Sequence, residues 1–283
     1  MYLKDEFYAK GIRLGEMAWT ECAEILKGRH AIILPVCSNH QHAYHTTNNL
    51  ASVLSTYHAL AAAEKVMKKH KDMRVVVMPT LEYGNTAEFY AWPGTVGIED
   101  ETLIRVVYDI LKVLIKQGWR NIMAMSGHHG NESMVEIACR KIFNEFPEKF
   151  PEVGLLGLSE PDLAGPIFTK GLPGIKANTG EEGIGHCGEL CTAGYMDRFP
   201  ELTHMEKAVP GKRNIYSFRK HVGPTGNAHG AVVFWSRNIL VDESGAGTDG
   251  TKATKEQGKA LNDAMIDVLA EVIEELIESE SRR

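Results

Sequence analysis

The chain has no apolar run approaching the ~18 residues that a transmembrane helix requires, so a membrane-spanning role is not expected. Nor is there an excess of basic residues: 31 Lys and Arg stand against 37 Asp and Glu, a formal net charge of −6. Proteins that bind nucleic acid usually carry a basic stripe, and that class is set aside. Cysteine is scarce and irregular. The thiols Cys22, Cys37, Cys139, Cys187 and Cys191 are odd in number and form no spaced framework. In a chain of this length that pattern reads as free thiols in a reducing compartment. The opening Met1-Tyr2-Leu3-Lys4-Asp5-Glu6 shows no basic-then-apolar leader, so the expectation is a cytoplasmic protein. Internal repeats and Ser- or Pro-rich linkers are also missing, which leaves one domain over residues 1–283 as the simpler reading.

What is present is an alternation of short β-branched runs with long helical stretches. Apolar residues make up 43% and charged residues 24%, values suited to a globular core. Residues 31–36, 74–79, 121–125 and 153–158 are continuous apolar runs of strand length, and 231–235 suggests a late strand. Helical spacing is found over about 48–69, 101–117, 132–146 and from about 254 to the C-terminal charged tail. Gly118 stops the second of these helices. Strands this uniformly apolar are covered on both faces, which predicts an α/β fold with a mostly parallel sheet flanked by helices. The Gly- and Pro-rich stretch 160–185 reads as a loop around a lid.

In open parallel sheets, ligands bind outside the carboxyl ends of the strands. Histidines gather there. His40, His42 and His45 follow the first strand, and His128 and His129 follow the third. His40 and His42, two apart in an extended segment, project to the same side, as two imidazoles sharing one ion would. Histidines are common in surface loops, but their convergence on one sheet edge favours a metal. A third segment, Gly185-His186-Cys187-Gly188-Glu189-Leu190-Cys191-Thr192, opens a helix. His186 and Glu189 share a face there, suiting one as general acid or base and the other as ligand or orienter. The plainer alternative is a first-turn Glu favoured by the helix dipole. Cys187 and Cys191 read as small core residues rather than ligands. Asp249, Lys252 and Thr254 read as a helix cap. Trp92 and Trp119 read as packing residues, with Trp92 at the mouth of a pocket.

Six segments in order resemble the creatininase (creatinine amidohydrolase) family over nearly the whole chain. They are Gly15-Glu16-Met17-Ala18-Trp19-Thr20, the Pro35-Val36-Cys37-Ser38 run with His40-Gln41-His42, Trp92-Pro93-Gly94-Thr95, Gly127-His128-His129-Gly130-Asn131, Gly185-His186-Cys187-Gly188-Glu189, and the Gly-rich stretch 245–258 with Ala253-Thr254-Lys255-Glu256-Gln257-Gly258. The resemblance implies a Rossmann-like α/β hydrolase domain, a homo-oligomer that is often a hexamer, and an active site that commonly holds two divalent ions. It places His42 and His128 on family ligands and His186 on an active-site histidine.

The departures shape the reading. His40 stands where the family has Glu, Asn48 or Asn49 where it has a bridging Asp, Cys191 where it has a second Glu, and Phe89 where a histidine precedes Trp92. Two dications about 3.5 Å apart repel by roughly 19 kcal/mol at an effective dielectric of about 20, and anionic ligands normally offset this. With fewer of them, one ion on His40, His42 and His128 is expected, with Glu189 or Glu82 as a further ligand. Asn49, His129, Cys191 and Trp92 are further candidates for substrate contact or as an extra ligand. Imidazoles with an open position suit zinc, with manganese, nickel or iron as alternatives. The expected reaction is attack of an activated water on a ring carbonyl of a small, polar, cyclic substrate, with His186 or Glu189 carrying the proton. A branch resembling this family, 3-dehydro-scyllo-inosose hydrolase, opens a cyclic polyol diketone in inositol catabolism, and the reading leans slightly to such C–C opening over cyclic amide hydrolysis. A non-catalytic, metabolite-binding descendant is the alternative of another class.

Overall fold

A computed structural model describes residues 11–163, 185–211, 227–228, 231–232 and 241–282. Four parallel strands form its centre: β1 (Arg29–Val36), β2 (Met73–Val77), β3 (Asn121–Ser126) and β4 (Gly154–Ser159), in the order β2-β1-β3-β4. The helices are α1 (Trp19–Ile25), α2 (Leu50–Lys69), α3 (Asp100–Gln117), α4 (Glu132–Glu145), α5 (Glu189–Arg198) and α6 (Lys255–Glu278). This is the predicted α/β sheet, and its strand ends lie within one or two residues of the apolar runs.

Strand alternation divides the core into two layers. Ala31 and Ile33 of β1, with Met123 and Met125 of β3, pack beneath α2 and α6 against residues such as Leu60 and Leu269. Ile32, Leu34 and Val36, with Ile122 and Ala124, pack on the other face against Leu103 and Leu111 of α3 and Val135 of α4. Both faces are therefore covered, as the unbroken apolarity of the strands requires. Pro35 is tolerated inside a central strand because its register partner Met125 lies in β3 while β2 pairs only as far as Ile33. The Pro35 carbonyl accepts from Leu81 N, so the missing N–H faces the side that β2 has already left.

Three differences from expectation are local. Helix α1 was not anticipated; none of its seven residues is buried, so no apolar stripe marks it. The carboxylate of Glu21 accepts from Ala18 N at 2.7 Å and closes its first turn. Of the late strand, the structure describes β6 (Ala231–Val232), which pairs antiparallel with β5 (Asn227–Ala228) in a separate sheet; residues 233–235 lie outside the described residues. Of the expected loop 160–185, residues 160–163 continue β4 as a helical turn and 164–184 lie outside the described residues. No helix among the described residues is long and apolar enough to cross a membrane.

Candidate metal centre

The chain leaves β1 at its carboxyl end through a segment held on several sides. Val96 N donates to Asn39 O (3.0 Å), Gln41 N to Thr95 Oγ1 (3.0 Å) and His40 N to Asn48 O (3.0 Å). Asn131 ties the next loops together: its Nδ2 donates to Cys37 O (2.9 Å) and its Oδ1 accepts from Asn85 N (2.9 Å). Four histidines from three loops meet in this frame. The His40 ring lies 4.2 Å from that of His42, 4.4 Å from His128 and 5.4 Å from His186, centroid to centroid. His42 and His186 are 4.9 Å apart. Ligating atoms of His40, His42 and His186 lie within 4.8 Å of one another. Phe89, buried, stacks on His40 (4.8 Å) and on His186 (4.4 Å).

These rings are held uncharged. Burial pushes His42 down to about 4, against a smaller opposing effect of the His40 carbonyl that accepts from its ring. Burial, with His129 and His42 beside it, pushes His128 down to about 3. His40 and His186 are lowered well below the usual histidine range, again by burial first and then by the neighbouring imidazoles. A neutral imidazole offers one lone pair, and the hydrogen bonds show where it is. His42 Nδ1 lies 2.9 Å from the His40 carbonyl, which only accepts, so Nδ1 carries the proton and Nε2 the lone pair. His128 Nε2 is buried without a hydrogen-bond partner; the nearest carboxylate oxygen, of Glu88, is 3.4 Å away. Gly130 lies beneath it, where a Cβ would come within 2.6 Å of that nitrogen. The bare Nε2 of His42 and the unpartnered Nε2 of His128, in a buried cluster of imidazoles, fit a divalent transition ion.

The other predicted residues fall around this cluster in different ways. Glu189 is fully buried at the first turn of α5 and accepts from Gln257 Nε2 at 2.6 Å. Trp92, half-buried, meets Phe89 edge-on at 6.3 Å. Asn49 Oδ1 accepts from Thr47 Oγ1 (2.6 Å), and Glu82 is half-buried near the Cys37 thiol. Cys191 packs against the core, where burial pushes its thiol up to about 11. His129 belongs to another group: its Nδ1 pairs with Glu132 Oε1 at 2.6 Å, and Asp162 lies close by. Sequence reading missed Glu88, and it gave Gln41 and His45 no role. The His45 ring is buried, with Nε2 2.9 Å from Thr192 Oγ1. The one available signal for Gln41 was its place between two candidate ligands.

A model of the creatininase family, described as creatinine amidohydrolase, matches residues 15–273. A curated creatinine amidohydrolase of Pseudomonas putida is 25% identical over 214 residues, 71% of this chain and 77% of that protein. Among solved structures, a creatininase variant of the Zn-Zn type superposes with a TM-score of 0.75 at 22% identity, covering 94% of this chain and 98% of the other. A creatininase variant complexed with creatine gives 0.74 at 21% identity, covering 95% and 99%. The fold and the matching family model together make this an α/β hydrolase, and the histidine cluster is its candidate site for a divalent metal. The chain belongs to the creatininase family.

Proposed function

We propose that this protein hydrolyses a small, polar, cyclic carbonyl compound, opening a ring, with one divalent ion held by His40, His42 and His128. The observation that carries this reading is the convergence of buried, uncharged imidazoles at the carboxyl ends of β1 and β3, with the His42 and His128 Nε2 atoms free to coordinate. A bound ion supplies Lewis acidity, which polarises a carbonyl and makes a water more acidic. The side chains do the rest. Phe89 and the buried rings exclude bulk water and hold the low polarity that strengthens charge interactions inside. His186, against Phe89 and His42, is placed to move a proton at the reacting atoms, and Glu189 steadies the start of α5 next to it. Zinc is the ion that the imidazole set suits first.

For the substrate, we favour a cyclic amide, as the names of the curated relative and of the family imply. A cyclic polyol diketone is the second reading. It is favoured by one feature: the converging titratable groups are mostly imidazoles, with the Glu88 carboxylate 3.4 Å from His128 Nε2 as the neighbouring oxygen donor, so a hydroxy-ketone would bring further oxygen ligands. Elemental analysis of protein purified without added metal should give about one transition ion per chain, lost in His42→Ala and in His128→Ala. A panel of lactams and cyclic diketones, followed by mass, should yield a product heavier by one water. Bound metal with no such product from either class would turn the reading to a metabolite-binding protein, and no metal would end the hydrolase reading.

A further inference from the structure

Gln41 sits between two of the proposed ligands in sequence, yet its side chain reaches away from them to other parts of the chain. Ala43 N donates to Gln41 Oε1 at 2.8 Å, which settles the orientation of the carboxamide: the oxygen accepts there, so the nitrogen is the donor end. That Nε2 donates to the Gly245 carbonyl at 2.9 Å. It also lies 3.0 Å from His186 Nε2. An amide NH2 has two hydrogens to give and cannot accept, so the His186 nitrogen facing it must be the acceptor. Gly245 is shaped for this contact. Its φ is +80°, and a Cβ there would meet Gln41 Oε1 at 2.1 Å.

The consequence is a tautomer. A neutral His186 whose Nε2 lone pair is engaged by an amide carries its proton on Nδ1. To bind an ion through Nδ1, the ring would have to move that proton to Nε2, where it would point at the Gln41 hydrogens. To bind through Nε2, it would have to lose the amide. His42 is the reverse case, with Nδ1 protonated by its contact to a carbonyl and Nε2 left bare. The two rings lie 4.9 Å apart but are prepared for different work.

We infer that Gln41 is a positioning residue that fixes His186 as the Nδ1–H tautomer and so keeps it out of the metal shell, leaving the ion to His40, His42 and His128. This rests on the metal-dependent reading above for its second half only; the tautomer stands on the hydrogen bonds alone.

The test is a long-range 1H–15N correlation on protein labelled with 15N-histidine, with the His186 signals assigned by their loss in His186→Asn. In the metal-free protein, His186 should show a protonated Nδ1 and a bare Nε2. In Gln41→Glu the carboxylate can only accept, and the proton should appear on Nε2. In Gln41→Met, which keeps the bulk but has no donor, the two tautomers should exchange. Either variant suffices if the other fails to fold. A protonated Nε2 in the unaltered protein, or a pattern unmoved by both substitutions in natively melting protein, overturns the proposal. On titration with Zn(II), the His42 and His128 nitrogens should shift while His186 keeps its Nδ1 proton. A ligand-type shift at His186 overturns the exclusion while leaving the metal reading intact. Absence of zinc uptake, with the tautomer still answering to Gln41→Glu, removes the metal reading and upholds the positioning role.

Discussion

Burial of the imidazoles at the centre ties stability to pH, and the sign can be worked out residue by residue. His42 titrates at about 4 and His128 at about 3 in the folded chain, against about 6.5 in the unfolded one. Between those values the unfolded state binds the extra protons, so folding loses ground as pH falls. The contribution is complete above about pH 6.5 and disappears as pH drops through 4 and then 3. Metal-free protein should therefore lose on the order of 1 kcal/mol per pH unit for each of the two histidines below pH 6. Thermal melts between pH 7 and 4.5 measure this, and a flat melting temperature would contradict it. Single residues also show the limit of sequence reading. His40, His42, His128 and His186 were legible because they stand in short loops at strand ends or a helix start. Gln41, Glu88 and His45 were not, because what defines them comes from residue 245, 128 or 192, and no local pattern encodes that approach.

At the scale of elements, α6 links a helix start to the site. Thr254 Oγ1 accepts from Gln257 N (3.2 Å) while Gln257 Oε1 accepts from Thr254 N (3.0 Å), a reciprocal capping box. The same Gln257 uses its Nε2 to donate to buried Glu189 at the first turn of α5. The two residues should separate under mutation. Thr254→Ala should cost about 1 kcal/mol of stability and leave turnover alone. Gln257→Leu should cost about 1–3 kcal/mol, because it also withdraws a donor from a buried carboxylate, and it should lower turnover. Urea unfolding and the rate of ring opening measure the two effects. The cap could be read from Ala253-Thr254-Lys255-Glu256-Gln257-Gly258 directly; its tie to Glu189 could not, since the two helices are distant in sequence. Helix α3 was equally legible, with Gly118 left-handed at its end (φ +95°). Helix α1 was invisible for the opposite reason: only Cys22 and Ile25 turn to the core, and they are partly buried.

Over the whole molecule, the site depends on a sheet buried on both sides. Leu111, fully buried between α3 and the β1 face that carries Ile32 and Leu34, is remote from the histidines in its own layer. Leu111→Ala should cost about 2–5 kcal/mol by leaving a cavity, with bound metal per folded chain unchanged; denaturant midpoints and elemental analysis check the pair. The layered α/β architecture was readable because strands covered on both faces need no polar alternation, a property that a single sequence displays. The late strand β6 was readable from the apolar run that begins at Ala231, whereas its partner β5 (Asn227–Ala228) was not, because its two residues carry no period.

The strand order has a further consequence, in time. Strand β1 is the first of the sheet to be made, and it lies between β2 and β3. Val36 cannot meet its partner until Ser126 has been synthesised. At about 5–20 residues per second, β1 leaves the ribosome several seconds before its inner edge can be covered. Its run from Ala31 to Val36 is the most apolar stretch of the sheet, and Pro35 interrupts its row of backbone donors. A nascent chain of this kind is open to sticky encounters during that interval, and the proline that the finished sheet tolerates breaks only the opposite edge, on the side of β2, leaving the donors of the inner edge in place.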